Sequence, residues 1–128
     1  MDKCIACGLC AEKCPKKVDD PFNMGRGKRK AAYIKYGQAV PLKYAIDAAH
    51  CLYLTRGKCR ACEKFCPTGA INFHDTEKTF TLDVGAVIVA SGFEAFDPSR
   101  LDTYGYGHIR DVVTSLEYER LLASNGPY

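Results

Sequence analysis

The chain has 128 residues, 47% of them hydrophobic and 26% charged, with eight cysteines and a formal net charge of +3. No apolar run reaches the length of a membrane-spanning helix, and the start Met1-Asp2-Lys3-Cys4 reads as lacking a secretory signal. A reducing, cytoplasmic compartment is therefore expected, which disfavours a disulfide framework. The positive charge counts every thiol as neutral. Eight thiolates around two cores of about +2 each would bring it to about −1, so it makes no case for nucleic acid.

Residues 1–73 contain all the cysteines. The first run, Cys4, Cys7, Cys10 and Cys14-Pro15, spells C-x2-C-x2-C-x3-C-P. An insertion at about 16–43 follows, carrying Lys16, Lys17, Arg26, Lys28, Arg29, Lys30 and Lys35 against Asp19 and Asp20. Its Arg26–Lys30 stretch reads as a docking surface for an acidic partner, a contact for a flavin phosphate, or a solvated loop. Tyr44–Asp47 reads as a short strand delivering Cys51. The second run, Cys59, Cys62 and Cys66-Pro67, repeats C-x2-C-x3-C-P, and Ala70–Phe73 reads as the strand after it. Thr79–Leu82 alternates, and Gly85–Ala90 is a continuous apolar run that fits a strand buried on both faces. Thr114-Ser115-Leu116-Glu117 fits a capping box. The helix it opens places Leu116, Leu121 and Leu122 on one stripe and stops near Gly126-Pro127.

The spacing of the first run is that of bacterial two-cluster iron–sulfur proteins, in which the fourth cysteine ligates the other cluster. Applied to this chain, Cys4, Cys7, Cys10 and Cys66 hold one [4Fe–4S] cluster, and Cys51, Cys59, Cys62 and Cys14 hold the second. The crossing of Cys14 and Cys66 ties the halves together. This offsets an apolar content that is thin once the cysteines are discounted, in a chain too short to bury much surface. Seven residues separate Cys51 from Cys59, so that loop bulges over the second cluster. Zinc is the metal rival, since C-x2-C also suits a tetrahedral site.

Over residues 3–73 the motif resembles the dicluster ferredoxins. Several further segments resemble the A subunit of CoB–CoM heterodisulfide reductase and its bacterial relatives: Cys51–Cys59, Gly85–Phe93, Phe96–Leu101, Tyr104–Gly107, Thr114–Leu122 and the basic Asn23–Lys30. The resemblance spans essentially the whole chain. It implies an α+β chain, with a ferredoxin-like dicluster domain over 1–73 and, over 74–128, a strand-and-helix part of an α/β flavoprotein domain. The family's A-T-G strand end reads Ala90-Ser91-Gly92 here, and the resemblance makes Ser91 and Gly92 flavin contacts in an intact parent. A nucleotide-binding G-x-G-x-x-G is not completed at Gly25-Arg26-Gly27 or at Gly105-Tyr106-Gly107. The chain therefore reads as a middle piece that would not bind FAD tightly alone.

The implied function is electron relay through two [4Fe–4S] clusters, without a catalytic site of its own. The implied partners are the remaining flavoprotein polypeptide and other redox subunits, with no nucleic acid and no membrane span. Two other readings stand beside it: a free-standing soluble electron carrier, and a cysteine-rich structural or zinc-binding module. His50, beside Cys51, reads either as a donor to a cluster sulfur or as a surface residue. Tyr33, Tyr36, Tyr44 and Tyr53 are expected to pack over the clusters. His74 and His108 have no constellation around them.

Overall fold

The structure, a computed structural model, describes residues 3–128. Met1 and Asp2, the first half of the stretch read above for a signal, lie outside the described residues. The chain divides into two compact units: the residues up to His74 together with Ser115–Tyr128, and Asp75–Thr114.

In the first unit, each cysteine run turns into a one-turn helix, α1 at Leu9–Glu12 and α3 at Ala61–Lys64. Two antiparallel ribbons lie between them. Strand β1 (Lys17–Asp19) pairs with β2 (Lys28–Lys30), and β3 (Ala32–Tyr33) pairs with β4 (Ala45–Ile46), Ala32 opposite Ile46. At the tip of the first ribbon, Asp20 caps a 3-10 turn at Pro21–Asn23. Its carboxylate accepts from the Phe22 amide at 3.1 Å, and Pro21 fixes the entry dihedral. Helix α2 (Leu52–Arg56) occupies most of the seven-residue loop and ends at Gly57 in the left-handed region, φ 66°.

The strand expected over Tyr44–Asp47 is present as β4. Ala70–Phe73 forms no ladder. Its first amide is spent on sulfur, Ala70 N–H donating to Cys66 Sγ at 3.2 Å, while Ile71 and Phe73 still pack on the core around Cys10, Ala32 and Cys62. The buried apolar residues are Cys10, Val18, Ala31, Ala32, Cys51 and Cys62. Among the described residues no large side chain is fully buried, so the centre of this unit is built from thiols and small groups.

The C-terminal helix α4 (Ser115–Leu122) is present as expected but docks differently. It belongs to the first unit, and its most buried side chain is Glu117 rather than the leucine stripe; Leu122 stays exposed. The Arg26 guanidinium reaches Glu117 Oε1 at 3.0–3.1 Å. Arg120 donates to Asn23 Oδ1 at 3.1 Å and stacks its guanidinium on Phe22, which itself stacks on Tyr36. Asn125 donates to Gln38 at 2.8 Å. The apolar pattern alone could not foresee this, because the helix packs on a polar hairpin.

The second unit has two 3-10 turns, Pro98–Arg100 and Asp102–Tyr104, a further run of turns over 106–111, and no other regular element among the described residues. No strand forms over Thr79–Leu82 or Gly85–Ala90 among the described residues, and Val87, Ile88 and Val89 are 76%, 92% and 81% exposed. A strand buried on both faces needs a neighbour along each edge and a layer over each face. Nothing in this unit supplies them. No helix among the described residues is long and apolar enough to cross a membrane.

Replacing Glu117 by Ala leaves Arg26 without its carboxylate inside the docked surface. A loss of about 1–3 kcal/mol is expected, read as a lower denaturation midpoint. Amide exchange should quicken over Ser115–Leu122 and remain unchanged in α1.

Candidate metal centre

Both cysteine runs bend through the left-handed region, which turns successive side chains toward one side. In the first run Ala6 has φ 57° and Gly8 φ 84°; in the second Cys59 has φ 88° and Arg60 φ 135°. A Cβ on Gly8 would meet the Tyr44 hydroxyl at 3.2 Å. Arg60 stands where the first run has Gly8, and its strained backbone is held by contacts. Its guanidinium donates to Glu63 Oε1 at 2.7 Å and lies 5.0 Å from the Tyr53 ring centre and 5.9 Å from that of Phe73.

Two cavities result. One is lined by Cys14, Cys51, Cys59 and Cys62, with Ala31, Ala32, Ile46, Tyr53 and Phe73 in its walls. The other is lined by Cys4, Cys7, Cys10 and Cys66, with Tyr44, Thr68 and Ile71. All eight cysteines are free thiols. The structure thus brings together the same two sets of four that the spacing separates, and Cys14 and Cys66 each face the other run's cavity.

Each set has one exposed member, Cys7 or Cys59, and deeper ones behind it. Burial pushes the Cys62 thiol up to about 11 and raises that of Cys10. Cys4 is held below the ordinary thiol range by the amides of Tyr44 and Ala6, which outweigh burial, with Lys43 adding to the effect. At Cys66 burial is overcome by the amides of Ala70, Thr68 and Ile71 and by the Thr68 hydroxyl. Amide N–H groups aimed at sulfur favour the thiolate, the form that binds metal. Four thiols around a recess, some prepared by amide donors and shielded by aromatic rings, suit an iron–sulfur cluster.

Of the tyrosines expected over the sites, Tyr44 lines the Cys4 cavity and Tyr53 the Cys51 cavity. Tyr53 packs on Phe73 at 4.6 Å between ring centres. Tyr33 lies under Arg29 and Tyr36 on Phe22. His50 turns to Asp47, Nδ1 to Oδ2 at 3.0 Å, rather than to a sulfur. Ser91 and Gly92 are exposed, in the second unit.

The basic run is largely turned inward. Lys28 pairs with Asp19, Arg29 donates to Asp47 at 2.7 Å, and Lys30 donates to the Cys14 carbonyl at 2.6 Å. The hydrogen bonds from Arg29 and His50 overcome burial and hold the Asp47 carboxyl below the usual range. The Asp47 carbonyl in turn accepts from the Cys51 amide at 2.8 Å. The sequence reading took Lys30 only as part of a basic run and Asp47 only as a strand end, and did not single out Lys43. The lysines act through hydrogen bonds to backbone carbonyls, which leave no side-chain pattern, and Asp47 acts through Arg29 and His50.

Residues 3–70 match the family described as the 4Fe-4S dicluster domain, over more than half of the chain. The chain belongs to that family. It carries electrons, and its cofactors are two [4Fe–4S] clusters. It is also similar to three archaeal proteins along nearly its whole length. The A subunit of the ferredoxin:CoB-CoM heterodisulfide reductase of Methanosarcina acetivorans is 44% identical over 98% of this chain and 16% of that protein. The iron-sulfur A subunit of the CoB--CoM heterodisulfide reductase of Methanocaldococcus jannaschii is 43% identical over 97% of this chain and 18% of that protein. An iron-sulfur A subunit of the same reductase from Methanopyrus kandleri is 45% identical, with 98% and 18% covered. The chain thus spans less than a fifth of the length of these relatives.

A methyl group at Gly8 must occupy the left-handed region and crowd the Tyr44 hydroxyl. Gly8→Ala is expected to cost about 1–2 kcal/mol. Chelator challenge of the loaded protein should release iron faster than in the parent chain.

Proposed function

We propose that this chain is the dicluster relay module of a larger iron–sulfur flavoprotein, of the kind found as the A subunit of heterodisulfide reductases. In this reading Cys4, Cys7, Cys10 and Cys66 ligate one cluster, and Cys14, Cys51, Cys59 and Cys62 the other. The observation that carries it is the convergence of four thiols on each of two cavities, with Cys14 and Cys66 exchanged between the runs. Each bound cluster accepts and gives up one electron at a time. The chain's own residues fix the ligands, aim amides at sulfur, exclude water with Tyr44, Tyr53 and Phe73, and leave Cys7 and Cys59 at the surface as points of electron exchange.

The flavoprotein part of the proposal rests on the second unit. Its apolar residues from Phe80 to Phe93 are widely exposed, although the sequence there has the character of a two-sided core strand. The full-length relatives supply several times more chain. In such a parent the run would be covered by sheet neighbours, with Ser91 and Gly92 near the flavin. Residues 74–128 would then return the chain to the FAD domain, while α4 braces the ferredoxin module. The partners are the remaining polypeptide and further redox subunits in the cytoplasm.

Anaerobically purified chain should contain about eight iron and eight acid-labile sulfide per molecule. Reduction with dithionite should produce the EPR signal of coupled reduced cubanes. Zinc, or iron without sulfide, would overturn the relay. A parent-length protein that retains FAD, set against this chain without it, would support the flavoprotein context; a parent without flavin would remove that part alone.

A further inference from the structure

The insertion between the two cysteine runs brings lysines to both ligand sets: Lys16 lines the Cys14 cavity, and two further lysines hydrogen-bond carbonyls of cysteines. Lys30, at the end of β2, donates to the Cys14 carbonyl at 2.6 Å. Lys43, just before β4, donates to the Cys4 carbonyl. Both residues are half-buried, and among the described residues neither ammonium is paired with a carboxylate. This contrasts with Lys28 and Arg29 on the same strand, which are neutralised by Asp19 and Asp47. Lys30 also faces Lys17 directly across the ribbon, an unfavourable like-charge position. Its anchor on the Cys14 carbonyl keeps it there.

We infer that Lys30 and Lys43 are positioning residues that set the reduction potentials of the two clusters separately: Lys30 for the set containing Cys14, Lys43 for the set containing Cys4. The inference rests on the relay proposed above. Four thiolates around a cubane core carry net negative charge, and reduction adds one more. A positive charge held by a carbonyl of a ligand residue, and not cancelled by a carboxylate, favours the reduced form. The carbonyl bond matters because a free lysine would move its charge into water, where it is screened. Since the lysines reach different sets, the same insertion can hold the two potentials at different values and so bias the direction of electron flow within the pair.

The test is an EPR-monitored redox titration of the full chain loaded with clusters, in Lys30→Met, Lys43→Met and their Arg counterparts. Each Met variant should lower one potential and spare the other, and the two variants should move different ones. At a fixed potential the reduced-to-oxidised ratio of the affected cluster should fall roughly tenfold, which is about 59 mV for a one-electron couple. The Arg variants should restore it. Where a Met variant fails to load, Lys→Gln, which retains a donor for the carbonyl and loses the charge, should give the same shift. Unshifted potentials, or both moving together, at wild-type iron and sulfide content would overturn this inference alone. A wild-type chain without iron and sulfide would overturn the relay as well.

Discussion

The first unit depends on the exchange of Cys14 and Cys66 between the two cysteine runs. A chain of this size normally gains its stability from buried large side chains. Here the buried apolar set is three cysteines, two alanines and a valine, and no large side chain is fully buried among the described residues. The interior consists of the walls of two ligand cavities. In the proposed ligand arrangement, metal–thiolate bonds crossing between the runs would take the place of an apolar core and would couple cluster binding to folding. The two one-turn helices fit this: each is too short to be stable alone, and its one cysteine, Cys10 or Cys62, lines a cavity.

The insertion gives this frame its bracing. It would be natural to read Arg26–Lys30 as a positive surface for a partner. In the structure the run is consumed locally, cation by cation. Arg26 holds α4 through Glu117, Lys28 closes its own ribbon, Arg29 fixes Asp47 beneath Cys51, and Lys30 caps the Cys14 carbonyl. Ala31 and Ala32, almost fully buried, bring the following strand against the Cys14 cavity.

The second unit shows the opposite condition. Phe80, Leu82, Val84, Val87, Ile88, Val89 and Phe93 are exposed. Exposed apolar residues scattered singly are ordinary, whereas a continuous run of them marks a surface made for contact. The strand character of Gly85–Ala90 is a property of its residues. The ladder is a property of neighbours, and a lone extended segment cannot satisfy its own backbone. The strand expectation thus fails in this structure because no neighbouring strand pairs with Gly85–Ala90 among the described residues.

Much of the candidate site was legible in the chain itself. Cysteine spacing is a covalent property: two- and three-residue intervals limit which thiols can surround one centre, and the proline after Cys14 and Cys66 sends each away from its own run. The β4 strand and the α4 helix were legible for the same reason, since local periodicity and end signals lie within a few residues. What only the tertiary structure decided were the contacts made through backbone carbonyls and across long separations: Lys30 on Cys14, Lys43 on Cys4, Asp47 beneath Cys51, and Glu117 on Arg26 across 91 residues. A carbonyl is present at every position and so leaves no mark in the sequence. A charge finds its partner only once the fold has brought the two together.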